Sequence, residues 1–205
     1  MPRLMNPFRR IFMQKSNTKK MVGIAMLAAL ATILISFGFP IIPGVSFLKV
    51  DFSDIPVLIG MFLYGPVGGT MVAFIRSLLH YIQTGGDAGY PIGDTASFIA
   101  SVAYTLPIYL IMNAKINDTK NIIFANVIGS LSLTVVLSVV NYFFLLPLYL
   151  RVLNFSVGPI KDYLLMGVVP FNLVKGAVVS TVFIMLFAKL KTWLLRNQMT
   201  KISFK

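Results

Sequence analysis

Polar residues are rare along this chain, and their positions outline its elements. Residues 21–39 run without a charge, long enough to cross a hydrocarbon core of roughly 30 Å at about 1.5 Å per residue. The stretch "GFPIIPGVSFLKVDFSD" follows, punctuated by proline and glycine and so not helical throughout. Residues 55–75 are again uncharged, with Gly65-Pro66 as a turn signal in their middle. The pattern predicts two helices there, the second continuing to about Tyr81. "TGGDAGYPIGD" reads as a loop, 95–114 as a span and "KINDTK" as a polar turn. Residues 121–150 form a long uncharged run, and 151–162 a loop. The last span, 163–188, is interrupted only by Lys175.

Charge placement decides the number of spans. With six spans and both termini cytoplasmic, thirteen of the 18 Lys and Arg residues lie inside. Only Lys49, Arg151 and Lys161 lie outside, while Arg76 and Lys175 fall within spans. With five spans the two sides carry nearly equal positive charge, against the positive-inside rule. The expectation is an all-α integral membrane protein with six transmembrane helices in one bundle. A basic cytoplasmic segment (1–20) precedes the membrane domain (21–190), and a basic cytoplasmic tail (191–205) follows it. The first span reads as retained rather than as a cleaved signal, because no A-x-A-like site follows it. Met5 and Met13 are alternative starts.

Composition agrees and removes whole classes of function. The chain is 57% hydrophobic and 12% charged, where a soluble domain carries about a quarter charged residues. Lipid is therefore the solvent for most of its surface. The absence of cysteine excludes disulfides, thiol catalysis and iron–sulfur clusters. One histidine, His80, and no glutamate exclude an HExxH metalloprotease, and no metal site is expected. No P-loop is present, so ATP hydrolysis by such a loop is excluded. The net charge of +12 flanks apolar spans, which argues for a lipid bilayer and against nucleic acid.

The remaining polar groups collect on the outer side. Asp51, Asp54, Asp87, Asp94 and Asp162 fall there, with the aromatics Phe47, Phe52, Tyr90, Tyr142 and Tyr163. Asn141 lies about 30 Å up its helix from Asn121, near the outer boundary. Asn172 and Lys175 share a helical face at i, i+3. One reading is a small-molecule pocket opening outward, with amides and an ammonium as hydrogen-bonding groups and aromatic walls. The other is ordinary interhelical hydrogen bonding for the asparagines and solvated charge for the aspartates. A mid-span lysine costs roughly 2.5–3.5 kcal/mol on insertion scales, which favours a functional role for Lys175. Arg76 and His80, at i, i+4, read as contacts inside the bundle. Ala25 and Ala29 are small residues four apart that let another helix approach, from this chain or from a partner.

Residues 21 to about 190 resemble the substrate-binding (S) components of energy-coupling factor transporters, and within them the riboflavin-binding branch. The resemblance rests on Ala25 and Ala29, on "LKVDFSDIPVLIGMFLYGPVGG", on "SLLHYIQTGG" and on "PFNLVKG". It implies six helices, a ligand pocket near the outer face with the first outer loop as lid, and no enzymatic activity. It implies riboflavin as the transported ligand rather than a cofactor, in a bacterial cell membrane. The implied partners are a membrane coupling protein, met by Ala25 and Ala29, and two cytosolic ATPases. The candidate ligand-binding residues are Phe47, Leu48, Asp51, Tyr90, Asp94, Asn141, Asn172 and Lys175. Two alternatives stand beside this one. They are an S component for another vitamin, such as thiamine or a pyridoxine relative, and a membrane enzyme using the Asp51/Asp54 pair.

Overall fold

The computed structural model describes residues 7–41, 48–87, 89–152 and 160–199, with backbone only for 7–16 and 160. These residues are almost wholly helical. The helices are α1 (Pro7–Ser36), α2 (Asp54–Thr84), α3 (Ile92–Ala114), α4 (Thr119–Val140), α5 (Leu146–Val152), α6 (Ile160–Tyr163) and α7 (Val169–Asn197). Single π-helical turns, Asn141–Leu145 and Leu164–Val168, join α4 to α5 and α6 to α7. Before α2, β1 (Phe39–Pro40) pairs antiparallel with β2 (Lys49–Val50), Phe39 opposite Val50 and Pro40 opposite Lys49. Among the described residues, five stretches are long and apolar enough to cross a membrane: Asn17–Ser36, Asp54–Thr84, Ile92–Ala114, Thr119–Val152 and Lys161–Asn197.

The second of these is not a straight rod. Gly65 has φ 81° and ψ 176°, a region of backbone space open essentially to glycine alone. Pro66 follows it, well placed to start a new helix because its missing N–H has no partner there to lose. Arg76 Nη1 lies 3.0 Å from Asp54 Oδ1, although 22 residues of continuous helix would hold the two about 33 Å apart. The chain therefore folds back at Gly65 into two antiparallel arms, 54–64 and 66–84, as the Gly65-Pro66 signal predicts. The first arm is shorter than a usual span, and both its outer end and that of the second arm lie on the same side of the bundle.

The other boundaries follow local chemistry. Gly85, at φ 76°, ends α2 with its N–H on the Tyr81 carbonyl. The Asp118 side chain caps α4 by accepting from the Lys120 N–H. Pro170 sits in the first turn of α7, directly after the π turn that leads in from α6. α7 then runs on to Asn197, and α1 begins at Pro7, so the basic flanks continue the helices at both ends.

α2 is the centre of the bundle, packed against α1, α3 and α7, while α4 packs against α3 and α7. Ala28 and Ala31 of α1 are fully buried among Val57, Leu58 and Met61 of α2. Near the Gly65 turn an aromatic cluster joins three elements. Phe62 has ring centroids 5.3 Å from Tyr109, 5.4 Å from Phe187 and 6.4 Å from Phe183. At the same end the Met199 N–H donates to the Leu63 carbonyl at 2.8 Å. The end of α7 and the Gly65 turn therefore share one end of the bundle, and Asp54 and Thr84 share the other.

Candidate ligand-binding site

A cavity of about 440 Å³ opens at the Asp54/Thr84 end. That is within the range of small-molecule sites, roughly 300–1,000 Å³. Elements distant in sequence bring its walls together. α1 supplies Ile35 and Ser36, the segment before α2 supplies Leu48, Lys49 and Asp51, and the end of α2 supplies His80, Gln83 and Thr84. Gly93, Asp94 and Ser97 come from α3, and Asn141 and Leu145 from the first π turn. Tyr149 comes from α5, and Phe171, Asn172 and Lys175 from α7.

The two asparagines hold their places in the same way. Each amide donates to the carbonyl four residues back, Asn141 to Leu137 and Asn172 to Val168, both at 2.8 Å. The second N–H and the oxygen of each amide take no partner among the described residues and remain for a ligand. Each sits against a π turn, Asn141 at the start of one and Asn172 just past the other. Such single-turn bulges concentrate at functional sites. A side chain at Gly176 would put its Cβ 2.5 Å from Ser130 Oγ, so glycine there lets α7 lie close against α4 beside the cavity.

Lys175 answers its own electrostatic problem with acids from the other side of the bundle. Its Nζ is 3.2 Å from Asp51 Oδ2 and 3.9 Å from Asp54 Oδ2. Both carboxylates are buried, and so is the lysine. The expectation of solvated charge therefore fails for Asp51, Asp54 and Asp94, because each is turned inward onto a basic side chain from another helix or helix arm. Asp51 also accepts from the Ser53 N–H at 2.9 Å and from the Ser53 hydroxyl. Burial pushes the Asp51 carboxyl up. The Lys175 ammonium, the Arg76 guanidinium and the Ser53 hydrogen bonds together outweigh it and lower the pKa to about 2.

Arg76 and His80 do lie in polar contacts inside the bundle, and each finds an acid. Arg76 pairs with Asp54, and His80 Nδ1 lies 2.6 Å from Asp94 Oδ1 across to α3. His80 faces the cavity as well, which its sequence context did not reveal. So do Asp87 and Tyr149. The Tyr149 hydroxyl donates to Asp87 Oδ2 at 2.9 Å, and the same oxygen takes the Gly93 N–H at 2.8 Å. This ties the loop after α2 to α5.

Leu48, Asp51, Asp94, Asn141, Asn172 and Lys175 thus meet at one cavity. Tyr90 does not join them. It closes the Asp87–Tyr90 turn, is 56% exposed and borders a separate apolar groove with Pro91, Ile92 and Phe144. Phe47 lies outside the described residues. Ala25 and Ala29 face outward on α1, while Ala28 and Ala31 face α2. The small pair is therefore not used for packing among the described residues.

Comparison with known proteins agrees in extent and in kind. The family model described as "ECF transporter, substrate-specific component" matches residues 19–187. The "Riboflavin transporter FmnP" of Bacillus subtilis (strain 168) is 37% identical over 180 residues, 86% of this chain and 94% of that protein. The "Riboflavin transporter RibU" of Staphylococcus aureus (strain TCH60) is 39% identical over 194 residues, 94% of this chain and 100% of its own length. A solved structure of the S component of a bacterial ECF transporter superposes with a TM-score of 0.73 at 39% identity, covering 87% of this chain and 98% of that one. The chain belongs to the substrate-specific components of ECF transporters.

Proposed function

We propose that this chain is the riboflavin-binding membrane component of an energy-coupling factor transporter. It catches the vitamin outside a bacterial cell membrane and depends on a membrane coupling protein and two cytosolic ATPases for uptake. The observation that carries this reading is the cavity itself. Two asparagine amides, a lysine and apolar walls from Leu48, Leu137, Leu145 and Phe171 face one volume. A flat ring system whose edge bears carbonyl and N–H groups matches such a lining, with apolar walls for its faces and amides for its edge. In this reading Asn141, Asn172 and Lys175 hydrogen-bond the ring edge, while Leu48 and Asp51 belong to the lid side and Asp94 to the opposite wall. Relatives of nearly the same length named riboflavin transporters support the same ligand.

The two arms of α2 count as two spans in this proposal, so the bundle has six. The cavity end faces outward, and both termini are cytoplasmic with the Gly65 turn. The positive charge near the two termini supports that orientation. Single cysteines placed at Asp87 and at Asn117 are expected to react with an impermeant thiol reagent from opposite sides. Reaction of both from one side would remove the orientation.

The ligand is tested by titrating purified protein with riboflavin and following flavin fluorescence. Lys175→Met keeps the length and removes the charge. A hydrogen bond from a charged donor contributes roughly 1.5–3 kcal/mol, so affinity is expected to fall about 10- to 150-fold with the helical circular dichroism unchanged. Equal affinity in a folded variant would return Lys175 to a structural role.

A further inference from the structure

Arg76 is extensively bonded in the bundle interior, at 1% exposure, yet it does not line the cavity. Nη1 donates to Ser53 Oγ at 2.7 Å, Asp54 Oδ1 at 3.0 Å and Ser101 Oγ at 3.2 Å. Nη2 donates to the carbonyl and the hydroxyl of Ser97, both at 3.0 Å. A planar fork of five N–H groups suits such a set of acceptors, which a lysine in its place would not reach together.

The electrostatic balance around it is close. Two carboxylates, Asp51 and Asp54, share a buried site with two cations, Arg76 and Lys175. Asp54 spends Oδ1 on Arg76 and on the Ser101 hydroxyl. Its Oδ2 stays 3.9 Å from Lys175 Nζ, beyond hydrogen-bonding distance. Lys175 therefore bonds a single carboxylate, Asp51 at 3.2 Å. An ammonium has three hydrogens, and the remaining two are not committed to an acid. Without Arg76, Asp54 would have Lys175 as its nearest cation, and the ammonium would be drawn down between two buried carboxylates.

We infer that Arg76 is a positioning residue for ligand capture: by holding Asp54 it leaves the Lys175 ammonium free to turn its hydrogens into the cavity. The inference rests on the proposal that Lys175 meets the ligand. It differs from an ordinary structural role in depending on charge balance, so a charge-balancing second substitution and a change of pH both report on it. The groups facing the carboxylate pair are Arg76 on α2 and Lys175 on α7, while on α3 the Tyr104 hydroxyl is bonded to Ser180 Oγ at 2.8 Å. The His80–Asp94 pair and Lys49 also face the cavity.

Riboflavin binding to the purified full chain provides the test, each variant compared with the unaltered protein at the same pH. Near pH 8, Arg76→Gln is expected to bind roughly tenfold more weakly. Towards about pH 5.5 most of that loss returns, because the Asp51 carboxyl, without the Arg76 charge that helps to hold it down, takes up a proton more readily as pH falls. Adding Asp54→Asn to Arg76→Gln rebalances the site, and affinity comes back to within about threefold of the unaltered protein. Full affinity in a folded Arg76→Gln protein overturns the inference. So does a loss that is the same at every pH and that Asp54→Asn does not relieve. If Arg76→Gln does not fold, Asp54→Asn alone reads the balance from the other side: affinity kept or improved supports the inference, and a tenfold loss overturns it. Unchanged affinity in Lys175→Met is a separate result. It removes the role of Lys175 at the ligand, and the inference with it.

Discussion

The two ends of this bundle are built on different physics. At the Gly65 end the elements meet through apolar contacts, with Phe62, Tyr109, Phe183 and Phe187 as a ring cluster and Met199 bonded back to Leu63. At the cavity end the same helices meet through a handful of polar contacts of long sequence reach. Among them are Asp51 with Lys175, Asp54 with Arg76, His80 with Asp94 and Asp87 with Tyr149. Helices in lipid gain little from water exclusion between them, so close packing holds the first end together. Polar groups withdrawn from water hold the second, and each of them depends on a partner.

The comparison extends to the sides of the bundle. Ala25 and Ala29 present a smooth strip on α1 that stops about 10 Å short of Ile35 and Ser36 at the cavity. Ala29→Trp is expected to have the largest effect on transport, abolishing uptake and assembly with a coupling protein while riboflavin binding by the isolated chain survives. Co-purification with the coupling protein, measured beside a flavin titration, checks it. Loss of binding in parallel with assembly would show that the strip belongs to the cavity end after all.

Phe62→Ala is next. The hole it leaves among three aromatic rings is expected to lower stability by roughly 2–4 kcal/mol, mainly through the cavity left behind. Riboflavin affinity at the unfolding-free temperature is expected to change less than threefold. Thermal unfolding in detergent together with a titration separates the two quantities. An affinity loss as large as that of Lys175→Met would show that the ends are coupled.

The smallest effect is assigned to Tyr149→Phe. It removes the hydroxyl that reaches Asp87 and leaves the ring in the wall. A net hydrogen bond contributes about 0.5–1.5 kcal/mol, so riboflavin affinity is expected to fall roughly two- to tenfold, mainly through faster release measured by stopped-flow fluorescence. Release at the unaltered rate would mean that the tie between the loop after α2 and α5 does not retain the ligand.

Much of the fold was legible because lipid makes the rules strict. Uncharged runs long enough to span, basic flanks, and glycine and proline at the fold-back of α2 each carry a local signal. The Gly65 turn is the sharpest case, since only glycine adopts that backbone readily. Asn172 and Lys175 were also legible, because i, i+3 spacing puts both on one face wherever the helix lies. Tyr90 was not, because whether a loop aromatic points into a cavity or away from it depends on the turn that carries it. Here Asp87–Tyr90 turns it out.

By itself the sequence determined that this chain lives in a membrane, where its helices run, and which polar groups must find compensation inside. Those follow from composition and spacing, which are properties of short stretches. Tertiary structure alone decided who compensates whom. Asp51 and Lys175 are 124 residues apart, and Tyr149 and Asp87 are 62 apart. The π turns at Asn141–Leu145 and Leu164–Val168 shift the helical register by amounts that no 3.6-residue pattern announces. Pairings of that reach are set by how whole helices pack, so the site could be anticipated in its parts while its assembly needed the folded bundle.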